Sequence, residues 1–111
     1  MKKTNFDSIL MQNILHHGHS GIHVIDRNRK TIIYNKMMAE LEGLDVDYVM
    51  NKDILDIFPT LNERTSTLIK VMDSGEAIIN NTQTYLNYKG HSITTISTTL
   101  PLKYNEEIIT I

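Results

Sequence analysis

The chain has 111 residues, enough for one compact domain and too few for two ordinary ones. Hydrophobic residues make up 41% and charged residues 22%, and 11 Lys+Arg against 13 Asp+Glu leave a formal net charge of -2. That balance is globular and lacks the basic excess that draws nucleic acid or acidic lipid, while the absence of Cys removes disulfides, thiolate catalysis and cysteinyl metal sites.

No apolar run approaches the roughly 18 residues of a membrane span. The polar Thr4 to Ser8 that follows Met1, Lys2 and Lys3 is no secretory leader, so a cytoplasmic location is expected. Thr4 and Asp7 have capping-box spacing, and Phe6, Ile9, Leu10 and Ile14 recur at helical steps. An amphipathic helix over residues 5–15 is predicted, followed by a polar joint from His16 to Gly21. Ile22 to Ile25 and Lys30 to Tyr34 are β-branched runs around a turn at Asp26 to Arg29, so they predict a hairpin. Asn35 is a fitting N-cap for a helix over residues 36–42, with Met38 and Leu41 inward and Gly43 as its stop. A short helix with Ile54, Ile57 and Phe58 apolar ends at Pro59. Asn62 caps a longer one, with Leu61, Leu68, Ile69 and Met72 as its stripe and Gly75 as its end.

Beyond Gly75 the chain is rich in Thr and Ile. Residues 77–88 and 92–100 read as long strands joined by a turn at Lys89 and Gly90, with Pro101 closing the second. A third strand begins at Glu106 and is still running at Ile111, as if a longer protein continued there. The order predicts an α+β domain with an antiparallel sheet and helices on one face.

On these residues the chain resembles a PAS sensor domain. Gly21 to Asp26 looks like the first PAS strand with its closing acid, and Ile33 to Ala39 like the second strand running into the helix-starting Asn35. Asp53 to Pro59 is similar to the short helix before the connector helix, and Tyr88-Lys89-Gly90 with the Thr-rich strand ending Leu100-Pro101-Leu102 completes the order. The resemblance implies a five-stranded antiparallel sheet over residues 21–111, preceded by the N-terminal helix and joint over residues 1–20. Within that family it resembles the amino-terminal domain of RocR-type arginine-utilisation activators of the sigma-54 class. In such activators an ATPase domain and a helix-turn-helix domain follow the sensor. No phosphate-binding glycine loop or basic recognition helix is found in this sequence, so direct nucleic-acid binding is not expected of it.

By the same resemblance Tyr34, before the helix-starting Asn, faces a pocket. Strand alternation then turns His23 and Ile25 inward, with Ile22 and Val24 outward. On the later strands it turns inward Tyr85 and Asn87, and then Ile93, Thr95, Ser97 and Thr99. Met38, Phe58, Leu68 and Met72 would supply the helical wall. So many inward hydroxyls are unusual for a packed face, because buried polar groups need partners. The expected ligand-binding set is therefore His23, Tyr34, Met38, Phe58, Tyr85, Asn87, Thr95, Ser97 and Thr99, holding a small metabolite. The family points to arginine or ornithine; no inward carboxylate is evident to pair with a guanidinium, which weighs against arginine specifically. The alternative is a ligand-free dimerisation or protein-interaction module. Haem is disfavoured because the stretch from Asn62 to Gly75 has no His, and cysteinyl flavin chemistry because there is no Cys. His16, His17, His19 and His23 lack companion ligands at metal spacing, so no metal or cofactor is expected. Neither a Ser–His–Asp set nor paired acids on a cleft points to an enzyme. A homodimer is expected through Phe6, Ile9, Leu10 and Ile14, with Ile96 and Leu100 on the outer sheet face that the helix can cover.

Overall fold

The first hairpin is built by the β-branched runs on either side of Asp26. The Asp26 carboxylate accepts from the backbone N–H groups of Asn28 and Lys30, at 2.8 and 3.0 Å, and so shapes the turn. In this computed structural model, which describes residue 9, residues 20–102 and residues 107–110, the hairpin strands are β1 (His23–Ile25) and β2 (Thr31–Tyr34). Four helices follow: α1 (Lys36–Glu42), α2 (Val46–Val49), α3 (Ile54–Ile57) and α4 (Glu63–Ser74). The strands β3 (Ile78–Leu86), β4 (Ser92–Leu102) and β5 (Glu107–Thr110) complete the sheet, in the order β2-β1-β5-β4-β3 with every neighbour antiparallel.

Asn35 caps α1 by accepting from the Met38 N–H, and Gly43 ends it at φ 72°, a left-handed conformation that costs glycine little. The same Asn35 side chain receives the Ile22 N–H at 2.8 Å, which ties the start of β1 to the start of α1. The outer edge of β2 is not bare. Thr31 exchanges backbone hydrogen bonds with Lys52 and Asn51, and the Ile54 N–H donates to the Arg29 carbonyl. Arg29 also pairs with Asp53, the N-cap of α3, at 3.1 Å.

Two apolar clusters fill the space between helices and sheet. Tyr34, Met38, Ala39, Val49, Ile57 and Phe58 form one; Ile25, Ile54, Leu68 and Val71 form the other. The tip of the β3–β4 hairpin docks on α1, where the Tyr88 N–H donates to the Glu42 carbonyl and the Asn87 amide to the Leu41 carbonyl. Tyr88 stands edge-on to Phe58 and its hydroxyl donates to the Ile57 carbonyl.

Several expectations need correction. A helical turn over Val46–Val49 is present where none is predicted, with Val49 fully buried. The inward positions of α1 are Met38, Ala39 and Glu42, with Leu41 only half-buried, because four-residue steps from Met38 lead to Glu42. Leu61 precedes α4 and is exposed; the buried face of that helix carries Arg64, Thr65, Thr67, Leu68 and Val71. Val24 is buried although it alternates with the inward residues. Pro101 does not end β4, which runs on to Leu102 in register with β5. The expected N-terminal helix, its stripe residues Phe6, Leu10 and Ile14, and His16, His17 and His19 lie outside the described residues; Ile9 is helical and 49% exposed.

Candidate functional site

The inner face of the sheet is unusually polar where β3 and β4 meet α4. Tyr85 and Gln83 alternate inward on β3, and Ser97 and Thr99 are buried on β4, whereas Leu86 and Ile96 on the other face are 67% and 70% exposed. Thr95 and Ile93 are half-buried. Gln83 stands opposite Thr95, and Asn81 opposite Ser97. The Gln83 amide donates to the Thr67 hydroxyl at 2.7 Å and to the Glu63 carbonyl at 3.3 Å, both on α4. With its nitrogen so committed, its oxygen Oε1 points elsewhere and has no partner. Thr95 Oγ1 and Ser97 Oγ are likewise buried and unpartnered. Such atoms are costly unless something supplies the missing hydrogen bonds.

A buried ionic network occupies the neighbouring layer. Arg64, one helical turn before Thr67, lies almost fully buried, with its side chain 2% exposed and that of Glu42 1%. Its Nε donates to Glu42 Oε2 at 2.8 Å and its Nη2 to Oε1 at 2.9 Å, a fork-to-fork pair. The carboxylate also accepts from the Tyr34 hydroxyl and, at 3.4 Å, from that of Tyr85. Arg64 Nη1 donates to His23 Nδ1 at 3.1 Å. Because a guanidinium only donates, the His23 proton must sit on Nε2, where it is given to Thr31 Oγ1 at 2.8 Å.

Burial, followed by the Arg64 charge, holds His23 well below its ordinary value near neutrality. Burial, and then the adjacent Glu42 charge, pushes the Tyr34 hydroxyl far up. Tyr85 is pushed up to about 12, mainly by burial, with Arg64 opposing and Glu42 adding. Burial works against the charge of Arg64, but Glu42 and the two tyrosines more than offset it, so its pKa is raised. Both hydroxyls are therefore donors and Arg64 is a fixed cation. Removing one member of such a pair typically costs about 3–5 kcal/mol by stranding the other.

The candidate residues divide accordingly. His23, Tyr34 and Tyr85 belong to the ionic network, whereas Thr95 and Ser97 face the unpartnered layer. Met38 and Phe58 are apolar wall. Thr99 is buried beside Ser97 on the same face. Asn87 is spent on the hairpin: its Oδ1 accepts from the Lys89 and His91 N–H groups while its amide donates to α1. Glu42, Arg64 and Gln83 are absent from the sequence-derived set, and the expectation that no carboxylate points inward is wrong. Their spacing holds the missed signal. Glu42 follows Met38 by four residues, Arg64 precedes Leu68 and Val71 by four and seven, and Gln83 precedes Tyr85 by two.

A surface groove of about 640 Å³ between α1, α2 and the hairpin tip is lined in part by Lys36, Leu44, Tyr48 and Lys89 and touches none of these inner residues. Among the described residues no group of three His, Cys, Asp or Glu is placed to hold a metal, and no helix is long and apolar enough to cross a membrane.

Comparison with known families matches residues 9–98 to the PAS fold. The chain belongs to the PAS family. This PAS domain is 35% identical over 108 residues to the transcriptional activator RocR of Bacillus subtilis, a match covering 97% of the chain and 23% of that protein. It is thus a PAS domain related to one part of a transcriptional activator. Among solved structures, it resembles a domain of a sensory box sensor histidine kinase/response regulator from Geobacter sulfurreducens, with a TM-score of 0.74 and 15% identity over 98% of this chain and 95% of that one. The PAS domain of Bordetella pertussis BvgS gives 0.69 and 18%, over 98% and 83%. At these identities the likeness shows the PAS fold.

Proposed function

We propose that this PAS domain is the sensory input of a transcriptional activator, and that it takes a small polar metabolite between α4 and strands β3 and β4. The reading is regulatory, not catalytic. Its main support is the cluster of unpartnered Gln83 Oε1, Thr95 Oγ1 and Ser97 Oγ. The Gln83 oxygen can only accept, so the ligand brings at least one N–H or O–H, and the two hydroxyls can give or receive. An amine-bearing metabolite of the arginine and ornithine kind meets that requirement, in keeping with the arginine-utilisation activators that the sequence resembles. Helix α4 contacts β3, β4 and β5, so a ligand wedged against it biases the packing of that helix. The bias passes to β5 and on to the ATPase and DNA-binding domains expected of the whole activator. A ligand moves such an equilibrium only by its differential affinity for the two packings.

Thermal unfolding of the chain with arginine, ornithine or citrulline tests the reading. At about 100 times Kd the bound form gains about 2.7 kcal/mol, a Tm rise of roughly 10–20 °C for a domain of this size. The double variant Thr95→Val, Ser97→Ala is expected to lose that rise. If none of these metabolites moves Tm, the metabolite reading fails.

A second reading, a dimerisation module that needs no ligand, draws on a separate observation. Ile79, Leu86 and Ile96 leave the outer face of β3 and β4 apolar and exposed. A homodimer through this face, with the N-terminal helix adding Phe6, Ile9, Leu10 and Ile14, is compatible with sensing and is the route by which two subunits relay the signal together.

A further inference from the structure

A buried ion pair gains little over apolar side chains of the same volume, so its place in the middle of a domain calls for a reason. The groups gathered around the Arg64 guanidinium and its partner carboxylate come from four elements, none of them the helix that carries the arginine. Glu42 is from α1, Tyr34 from β2, Tyr85 from β3 and His23 from β1. The Phe58 ring, just after α3, lies 5.9 Å from the guanidinium carbon. A forked carboxylate, an accepting ring nitrogen and an aromatic wall together form a socket for a planar cation. That socket is complete without α4, which only inserts the occupant.

We propose that Glu42, Tyr34, Tyr85, His23 and Phe58 form a guanidinium receptor which Arg64 fills as a tethered ligand, and that a free alkylguanidinium with a second polar group exchanges for it, releasing the first turn of α4. The requirement for a second group follows from competition. A tethered occupant acts at an effective concentration of about millimolar or higher, so a bare guanidinium does not displace it. Gln83 is held by Thr67, one helical turn from Arg64, and stands one strand step from Tyr85 with Thr95 opposite it and Ser97 one step beyond; their unpartnered atoms offer the extra contacts that the free ligand needs. The exchange rests on the sensory reading above; the receptor itself does not.

Arg64→Ala empties the socket and leaves Glu42 stranded. Its Tm is expected to fall well below that of the native chain and to recover by at least half, saturably, with millimolar methylguanidinium chloride. Methylammonium chloride and sodium chloride at equal ionic strength are expected to give no such recovery, and methylguanidinium to leave the native chain unmoved. The double variant Glu42→Leu, Arg64→Ala, which has no stranded charge, is expected to fold and not to respond. Should Arg64→Ala be unfolded on its own, return of its helical circular dichroism in methylguanidinium is the same positive result. Failure of Arg64→Ala to respond, or an equal response from the double variant, overturns the receptor. A native chain deaf to arginine, ornithine and citrulline beside a rescued Arg64→Ala would instead strike the sensory reading and the exchange, leaving the receptor intact.

Discussion

His23 shows how much a single side chain can be constrained by its neighbours. One ring nitrogen accepts from Arg64 and the other donates to Thr31, so a second ring proton would have to sit against a guanidinium. Protonation is thus disfavoured in the folded chain, and burial reinforces this. In the unfolded chain the ring takes up a proton near pH 6.5. The unfolded state consequently binds more protons than the native state between that pH and the lowered native value. Stability is full above about pH 6.5 and declines as the pH falls toward the native value, by up to about 1.4 kcal/mol per pH unit. Urea titrations at several pH values should show this slope in the native chain, and His23→Gln, which cannot titrate, should lose that component. An unchanged slope would assign the acid sensitivity to other groups. At this scale the sequence was only partly legible. Tyr34 is placed inward by the PAS resemblance and Tyr85 by the register that follows from it, but the ion pair is invisible to hydropathy, which places Glu42 and Arg64 outside because unpaired charges do not bury. Only a partner on another element makes such burial tolerable, and no local pattern reveals that partner.

Among the elements, α4 carries the most consequence, since it brings Arg64 and Thr67 to the inner face and anchors Gln83. Its start is set by a capping box: the Asn62 side chain accepts the Thr65 N–H at 2.8 Å and Thr65 Oγ1 accepts the Asn62 N–H at 3.0 Å. Asn62→Ala is expected to cost about 1 kcal/mol, within a range of about 0.5–2, by denaturant titration. Because Arg64 lies in the turn that this cap secures, amide exchange of residues 63–67 should accelerate more than that of β3. Uniform acceleration would show that the cap serves only global stability. This helix was half legible. Asn62 and Gly75 mark both ends correctly, and Leu68, Ile69 and Met72 of the expected stripe do reach the core, but Leu61 does not, and the polar part of the buried face, Arg64, Thr65 and Thr67, lies outside that stripe. Strand β4 was placed to within two residues of its observed end, but its faces came from the PAS register, because hydroxyls lie on both: Ser92, Thr94 and Thr98 alternate with Thr95, Ser97 and Thr99.

For the whole molecule, the exposed outer face is the feature with the widest reach. If two copies meet there, Ile96→Glu should place a like charge at the centre of the contact and shift sedimentation from dimer to monomer without loss of Tm. A sedimentation profile identical to that of the native chain would remove the outer face from any dimer. The PAS architecture was legible because its signals are ordered: a hairpin, an Asn-started helix, a capped connector and two long Thr-rich strands. The positions that hold helix and sheet together were less so, because they depend on meetings between elements far apart in sequence.

The strand order also has a consequence for how the chain acquires its shape. Both hairpins, β1–β2 and β3–β4, join neighbours in sequence and can form early, but they meet only through β5, whose Thr110 pairs with both His23 and Thr99. Closing the loop between His23 and Thr110 is the slowest kind of step for a small domain. A ribosome-bound chain would therefore hold two separate half-sheets with open edges until residues 107–110 emerge, and only then could the polar interior be sealed from water.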